Sequence, residues 1–287
     1  MLAFQFANPD GKVTKSIFQK PVEIIETSKL TEVFSCLEKV QLAVDQGYYA
    51  AGYLSYEAAP AFDSAFKVNN GSKMPLVWFG IFNEPNKQEL NEHDDYSLTD
   101  WQPSVSRDEY NEAIKTIRER IELGDTYQVN YTIRMNSQFT GDRWSFFKKL
   151  AQAQSSNYSA YLDIGDYSIV SASPELFFQI KDRKITTKPM KGTVKRGRTL
   201  AEDQANAEWL ASSEKNHAEN VMIVDMLRND LGRIAKTGTV KVPKLFEVEK
   251  YPTVHQMTST VTAELEADTK LVDIFQALFP CGSITGA

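Results

Sequence analysis

From residue 158 onward the chain reads as strand-length segments in series, at 159–164, 167–172, 175–181 and 184–188. Helices around 200–211 and 214–231 follow, then strands within 238–262 and a helix from Asp268 to Leu278. Strands in series with helices interspersed, rather than in regular βαβ alternation, point to an α+β protein. At 287 residues the chain is longer than most single domains, yet one large domain stays open at this length.

The earlier half supplies further elements. Leu30, Val33, Phe34, Leu37 and Val40 keep helical spacing in a stretch that ends at Gly47, which predicts an amphipathic surface helix. Residues 48–58 read as a strand closed by Pro60, and Leu76 to Phe82 as a buried strand. The acidic, aperiodic stretch from Asn83 to Pro103 reads as a loop or linker dividing 1–103 from 104–287. Ser106 and Glu109 form a capping-box pattern, opening a helix whose apolar face is Tyr110, Ala113, Ile114, Ile117 and Ile121. From Tyr127 the alternation is strict: Tyr127, Val129, Tyr131, Ile133 and Met135 share one face, and Gln128, Asn130, Thr132 and Arg134 the other. That pattern predicts a strand with one apolar face.

Composition removes several function classes. The net charge of -6 is opposite in sign to what a phosphate backbone selects, so no nucleic-acid partner is expected. Cys36 and Cys281 stand far apart with no CxxC or nearby histidine cluster, which suggests neither a disulfide framework nor a zinc site and fits a reducing cytoplasm. The N-terminus has no basic, apolar leader pattern and no stretch is apolar enough for a spanning helix, so neither export nor a membrane partner is indicated.

Residues suited to chemistry concentrate in two stretches, Ser171–Gly197 and Glu214–Arg233. Glu175 follows a strand end in Ser173-Pro174-Glu175, where a carboxylate is ordinarily just solvated. In Lys188-Pro189-Met190-Lys191-Gly192-Thr193-Val194-Lys195-Arg196-Gly197, glycines permit close backbone approach and Lys191 offers an amine. The same stretch, with the cations Lys188, Lys191, Lys195 and Arg196, also describes a basic surface turn. The helix from Glu214 has apolar residues on several sides and is expected to be buried, its charges paired or metal-bound. Glu214 and Glu219 are five positions apart, about 140° around the axis, and cannot share one ion directly. Carboxylate oxygens suit Mg²⁺, which needs only one or two of them. Arg228, Asn229 and Asp230 fit a buried structural hydrogen-bond network.

Taken together, Gly124-Asp125-Thr126-Tyr127-Gln128-Val129-Asn130, Ser173-Pro174-Glu175, Pro189-Met190-Lys191-Gly192-Thr193, the helix 214–233 and Gly282-Ser283-Ile284-Thr285-Gly286-Ala287 resemble, in order, the chorismate-binding enzymes. These include the anthranilate, aminodeoxychorismate, isochorismate and salicylate synthases. The resemblance implies a two-sheet antiparallel sandwich with surrounding helices. Lysine at position 191, where anthranilate synthases usually carry alanine, resembles the aminodeoxychorismate-forming branch. It implies attack of the amine on C2 of chorismate, loss of the C4 hydroxyl, then addition of ammonia at C4. Gln128 stands where the water-adding branches have a lysine base, which disfavours water as nucleophile.

The resemblance further implies Glu175 as general acid and His255 near the C4 leaving group. It implies that Glu219 binds Mg²⁺, with Glu214 acting through water, and that Gly192, Thr193, Ser283 and Thr285 line the carboxylate end. A glutamine amidotransferase subunit would supply the ammonia. Two alternatives stay open: an anthranilate synthase, and a non-catalytic binding or assembly subunit. Family members continue past the Gly286-Ala287 point with an arginine clamp and a second metal-binding glutamate, so the chain is expected to be C-terminally incomplete. No counterpart of the serine motif for tryptophan feedback is visible.

Overall fold

A computed structural model describes residues 1–8, 11–69, 71, 73–86 and 95–285. The chain opens with β1 (Leu2–Ala7), β2 (Val13–Phe18) and β3 (Glu23–Thr27), then α1 (Val33–Asp45), β4 (Tyr49–Leu54) and β5 (Val77–Phe82). Two short strands follow, β6 (Tyr96–Leu98) and β7 (Gln102–Pro103), then α2 (Arg107–Glu122), β8 (Met135–Asn136), β9 (Phe139–Gly141) and α3 (Arg143–Gln154). The strand series is β10 (Tyr158–Asp163), β11 (Ser168–Ser173), β12 (Leu176–Lys181), β13 (Lys184–Lys188) and β14 (Met190–Lys195). Helices α4 (Leu200–Ser212) and α5 (Glu214–Gly232), strands β15 (Lys241–Lys250) and β16 (Val254–Glu264), and helices α6 (Leu271–Leu278) and α7 (Gly282–Thr285) complete it.

Every described strand pair is antiparallel, and the class is α+β. A four-stranded sheet runs β11-β10-β1-β2, so the first strands of the chain pair with those of 158–173. Its apolar face packs on the three-stranded sheet β3-β5-β4 through Leu2, Phe18 and Leu162 against Ala51, Trp78 and Phe82. On the far side of that smaller sheet α1 buries Val33, Leu37 and Val40 against Ile25, Val77 and Ile81, with Phe275 from α6 closing the cluster. The third sheet is built on β16, with β15 along one edge and β13 and β14 sharing the other. Helices α5 and α6 cover it through Ile223, Leu227, Leu231, Ile274 and Leu278 against Ile185 and Val261.

Three local expectations change. The acidic stretch before Pro103 contains β6 and β7, which pair with β9 and β8; residues 87–94 lie outside the described residues. Residues 127–134 form no strand, and their apolar residues face solvent: Tyr127 is 79% exposed, with Val129, Tyr131, Ile133 and Met135 also exposed. Of the polar set only Gln128 and Asn130 turn inward, Thr132 and Arg134 staying exposed, and Asn130 finds the carbonyls of Ser283 and Ile284 there. Finally, α5 buries one stripe, Asn220, Ile223, Val224, Leu227 and Leu231, rather than its whole surface. Arg228 is therefore in an exposed pair with Asp225 (2.8 Å) instead of a buried network. Asp230 alone of that trio feels the interior, burial raising its carboxyl above the usual range.

Candidate active site

Lys191 sits where β14 departs from the regular ladder. Met190 lies opposite Thr258 and Thr193 opposite Gln256, so three steps on β14 (190 to 193) span two on β16 (258 to 256), and the strand bulges at Lys191-Gly192. Gly192 makes the bulge possible: its φ is +100°, and a Cβ there would lie 3.1 Å from the Asn216 side chain. Lys191 Nζ donates to Asn130 Oδ1 at 3.3 Å. Asn130 in turn donates from Nδ2 to the carbonyls of Ser283 (3.1 Å) and Ile284 (2.8 Å) in α7.

Glu175 joins the group from the turn between β11 and β12, its N–H held by Ser173 Oγ at 3.2 Å. Burial pushes the Glu175 carboxyl above its usual range; a hydrogen bond from the Ser283 hydroxyl, the charge of Lys191 and the Met190 backbone N–H all pull the other way. Glu175 and Ser283 line a cavity of about 240 Å³ whose other walls are largely apolar, including Tyr56, Phe177, Phe279 and Ile284. The arrangement places a carboxyl biased towards its neutral, proton-donating form close to a primary amine.

The basic-turn reading of 188–197 is resolved by the fate of each cation. Lys188 pairs with Glu249, Arg196 pairs with Asp203 at 2.6 Å, and Lys195 is exposed. Lys191 is half-buried and its hydrogen-bond partner is a neutral amide. A solvated basic turn does not build such a setting.

The other expected residues divide. Ser283 is buried, and Thr285 is half-buried in the last turn; Gly286 and Ala287 lie outside the described residues. Gln128 is half-buried and its Oε1 is enclosed with no protein donor, an acceptor turned inward without a partner. Thr193 is exposed and donates to Gln256 Oε1 at 2.7 Å. His255 is engaged at α4: its Nε2 lies 2.9 Å from Asp203 Oδ1, at 4% exposure. Neighbours on a strand point to opposite faces, so Gln256 faces Thr193 while His255 faces α4.

For a metal, Glu219 is half-buried and only loosely engaged by Lys215 at 3.7 Å, whereas Glu214 is exposed. Among the described residues no group of three or more His, Cys, Asp or Glu comes together. One such carboxylate fits Mg²⁺ completed by substrate oxygens and water, and fits no ion that demands a full protein cage. Also among the described residues, no helix is long and apolar enough to cross a membrane.

Two members of the site were not singled out from sequence. Asn130 shares its alternation parity with Gln128, a signal that pointed to it once the polar face was known to be inside. Tyr56, within the stretch that read as a strand, is 45% exposed at the cavity wall.

Residues 3–287 match the family described as chorismate binding enzyme. The chain is 44% identical over 201 residues to aminodeoxychorismate synthase component 1 of Escherichia coli (strain K12), covering 70% of this chain and 44% of that protein. It is 36% identical over 187 residues to anthranilate synthase component 1 of Aquifex aeolicus, covering 65% of this chain and 38% of that one. The chain thus spans less than half the length of these relatives. In fold it is similar to the crystal structure of anthranilate synthase component I from Streptococcus pneumoniae, with a TM-score of 0.77 at 24% identity over 100% of this chain and 72% of that one.

Proposed function

Because the chain belongs to the chorismate-binding enzyme family, we propose that it carries the catalytic residues of an aminodeoxychorismate synthase, which turns chorismate and ammonia into 4-amino-4-deoxychorismate and water. The observation that carries this reading is the half-buried Lys191 amine grouped with Asn130, Ser283 and Glu175. Four relatives at 40–44% identity that bear the aminodeoxychorismate synthase component 1 name support it.

In the proposed sequence Lys191, once it has given up its proton, uses the lone pair of its amine to form a bond to C2 of the ring. The ring double bonds shift, the C4–O bond breaks, and Glu175 delivers the proton with which the hydroxyl leaves as water. Ammonia then bonds at C4, the double bonds shift back, the C2–Nζ bond breaks to return the free amine, and the extra proton of the new C4 ammonium returns to the Glu175 carboxylate. Asn130 holds Nζ at the site, and the enclosed Oε1 of Gln128, which cannot act as a base, disfavours activation of water. We assign Mg²⁺ to Glu219, with Glu214 at one remove, where the ion would offset the charge of the substrate's ring carboxylate. A glutamine amidotransferase subunit as ammonia source is supported by the component 1 names of the relatives. A cytoplasmic setting is supported by the two buried free thiols, Cys36 and Cys281.

Product analysis tests the assignment. Incubated with chorismate, ammonium and Mg²⁺, the protein is expected to yield a product that keeps the enolpyruvyl group. Release of pyruvate with anthranilate would replace this reading by the anthranilate one.

The Glu175 assignment has its own pH signature. A general acid works only while protonated, so activity is expected to fall as pH rises through the raised Glu175 value. Ser283→Ala removes a hydrogen bond that favours the ionised form, so the alkaline limb should move to higher pH. Glu175→Gln should abolish the limb and cost about 10²- to 10⁴-fold in rate. A limb unmoved in Ser283→Ala, measured by pH–rate profiles, would assign it to another group.

A further inference from the structure

We propose that Asn220 is a positioning residue for Lys191: from within α5 its amide fixes the β14 bulge and thereby the direction of the Lys191 side chain. For its catalytic meaning the inference rests on Lys191 being the reacting amine; the geometry itself does not depend on that.

Asn220 is completely buried, at 0% exposure, and an amide in that setting has to be hydrogen-bonded. Its partners are not generic. Nδ2 donates to the carbonyls of Lys191 and Met257, both at 3.4 Å, and Oδ1 accepts from Ser259 Oγ at 2.5 Å. A bulge disrupts the ladder locally, so the Lys191 carbonyl needs a donor from elsewhere, and Asn220 is that donor. On the near side of the bulge, Ser259 N donates to the carbonyl of Pro189 (3.1 Å); on the far side the ladder resumes at Thr193. The segment that turns Lys191 is thus pinned before, at and after its irregular residue.

The same network reaches the opposite edge of β16. Between Lys244, opposite Thr260, and Glu247, opposite Thr258, β15 bulges as well, and Phe246 within it adopts a left-handed φ of 59°. The Phe246 N–H donates to Ser259 Oγ at 3.1 Å. Two irregular strands, one on each edge of β16, are therefore tied through Ser259 to one asparagine. Only an amide meets both requirements. Aspartate would set oxygens against two carbonyls, and an apolar residue would remove the donor to the Lys191 carbonyl and the acceptor of the Ser259 hydroxyl.

The test reads the Lys191 amine directly. The protein and its Asn220→Asp, Asn220→Ala and Ser259→Ala variants are labelled with trace acetic anhydride, and the Lys191 rate is measured by peptide mass spectrometry relative to Lys195 and Lys181. Release of Lys191 from Asn130 is expected to raise its relative rate about fivefold in both Asn220 variants, the factor one hydrogen bond is worth, and less in Ser259→Ala. If Asn220→Ala fails to fold, Asn220→Asp and Ser259→Ala decide the matter. An unchanged Lys191 rate, or an equal rise at all three lysines, overturns the proposal and leaves Asn220 as packing alone. Absence of a chorismate adduct on the wild type would sink the nucleophile reading instead, while the labelling still decides what Asn220 does.

Discussion

Incubated with chorismate and Mg²⁺ in the absence of ammonia, the protein is expected to gain the mass of a covalent adduct, and replacing Lys191 by alanine is expected to abolish that gain. It should also slow amination roughly 10³-fold or more, the order of loss when a covalent nucleophile is removed. On the proposed mechanism, loss of the amine leaves ammonia to displace the C4 hydroxyl without a covalent intermediate. Lys191 also acts on Glu175 through its charge, which holds the carboxyl lower than burial alone would set it. The alanine variant therefore changes two things at once. Lys191→Arg separates them: a guanidinium keeps the charge beside Glu175 yet stays protonated and cannot attack. It should preserve the alkaline limb assigned to Glu175 in whatever slow reaction survives, and still show no adduct. Intact-mass analysis followed by peptide mapping reads the result. An adduct that persists in Lys191→Ala, or amination within a few-fold of wild type, would falsify the covalent assignment.

What could be read from the sequence follows from what local rules encode. Strands β10 to β13 fall within a residue or so of their expected limits, because the turns between them are too short to hide the alternation. Helix α5 begins where Ser213 supplies the cap, its Oγ accepting from Asn216 N. The failure at 127–134 has a physical cause. A period of 2 reveals which residues face together, not which face is inside. At 127–135 the apolar set was the natural choice for the interior, and the structure turns it outward while Asn130 turns in to Lys191. At 254–256 the histidine is engaged by Asp203, a partner that only the position of α4 reveals. Arg228 shows the converse: its charge suggested a buried partner, but the buried stripe of α5 passes it by.

Loss of Asp203 is expected to be among the most damaging single changes to the fold, although the residue does not touch the cavity. Its carboxylate is 7% exposed and collects charge-assisted bonds from three sides. Arg196 donates from Nε and Nη2 at 2.6 and 2.8 Å, the Gly197 N–H at 2.9 Å, and His255 Nε2 lies 2.9 Å away. Gly197 is held so close that a Cβ there would come within 2.1 Å of the Asp203 nitrogen, so the end of β14 and the start of α4 meet backbone to backbone. Asp203→Ala removes the counter-charge of a partly buried guanidinium and strands His255, and should lower Tm by about 10 °C. Breaking the exposed Arg228–Asp225 pair should shift it by about 1 °C. Arg196 above all, then the Gly197 N–H and His255, holds the Asp203 carboxyl well below the usual carboxylate range. Its stabilisation is therefore complete at neutral pH, begins to fade as pH falls below about 4, where the unfolded carboxylate takes up its proton, and continues to fall towards the lower folded value. The gap in Tm between wild type and Asp203→Asn should accordingly narrow in acid. A gap that stays constant from neutral pH to about pH 3 would mean that packing at Gly197, rather than the charge of Asp203, joins β14 to α4.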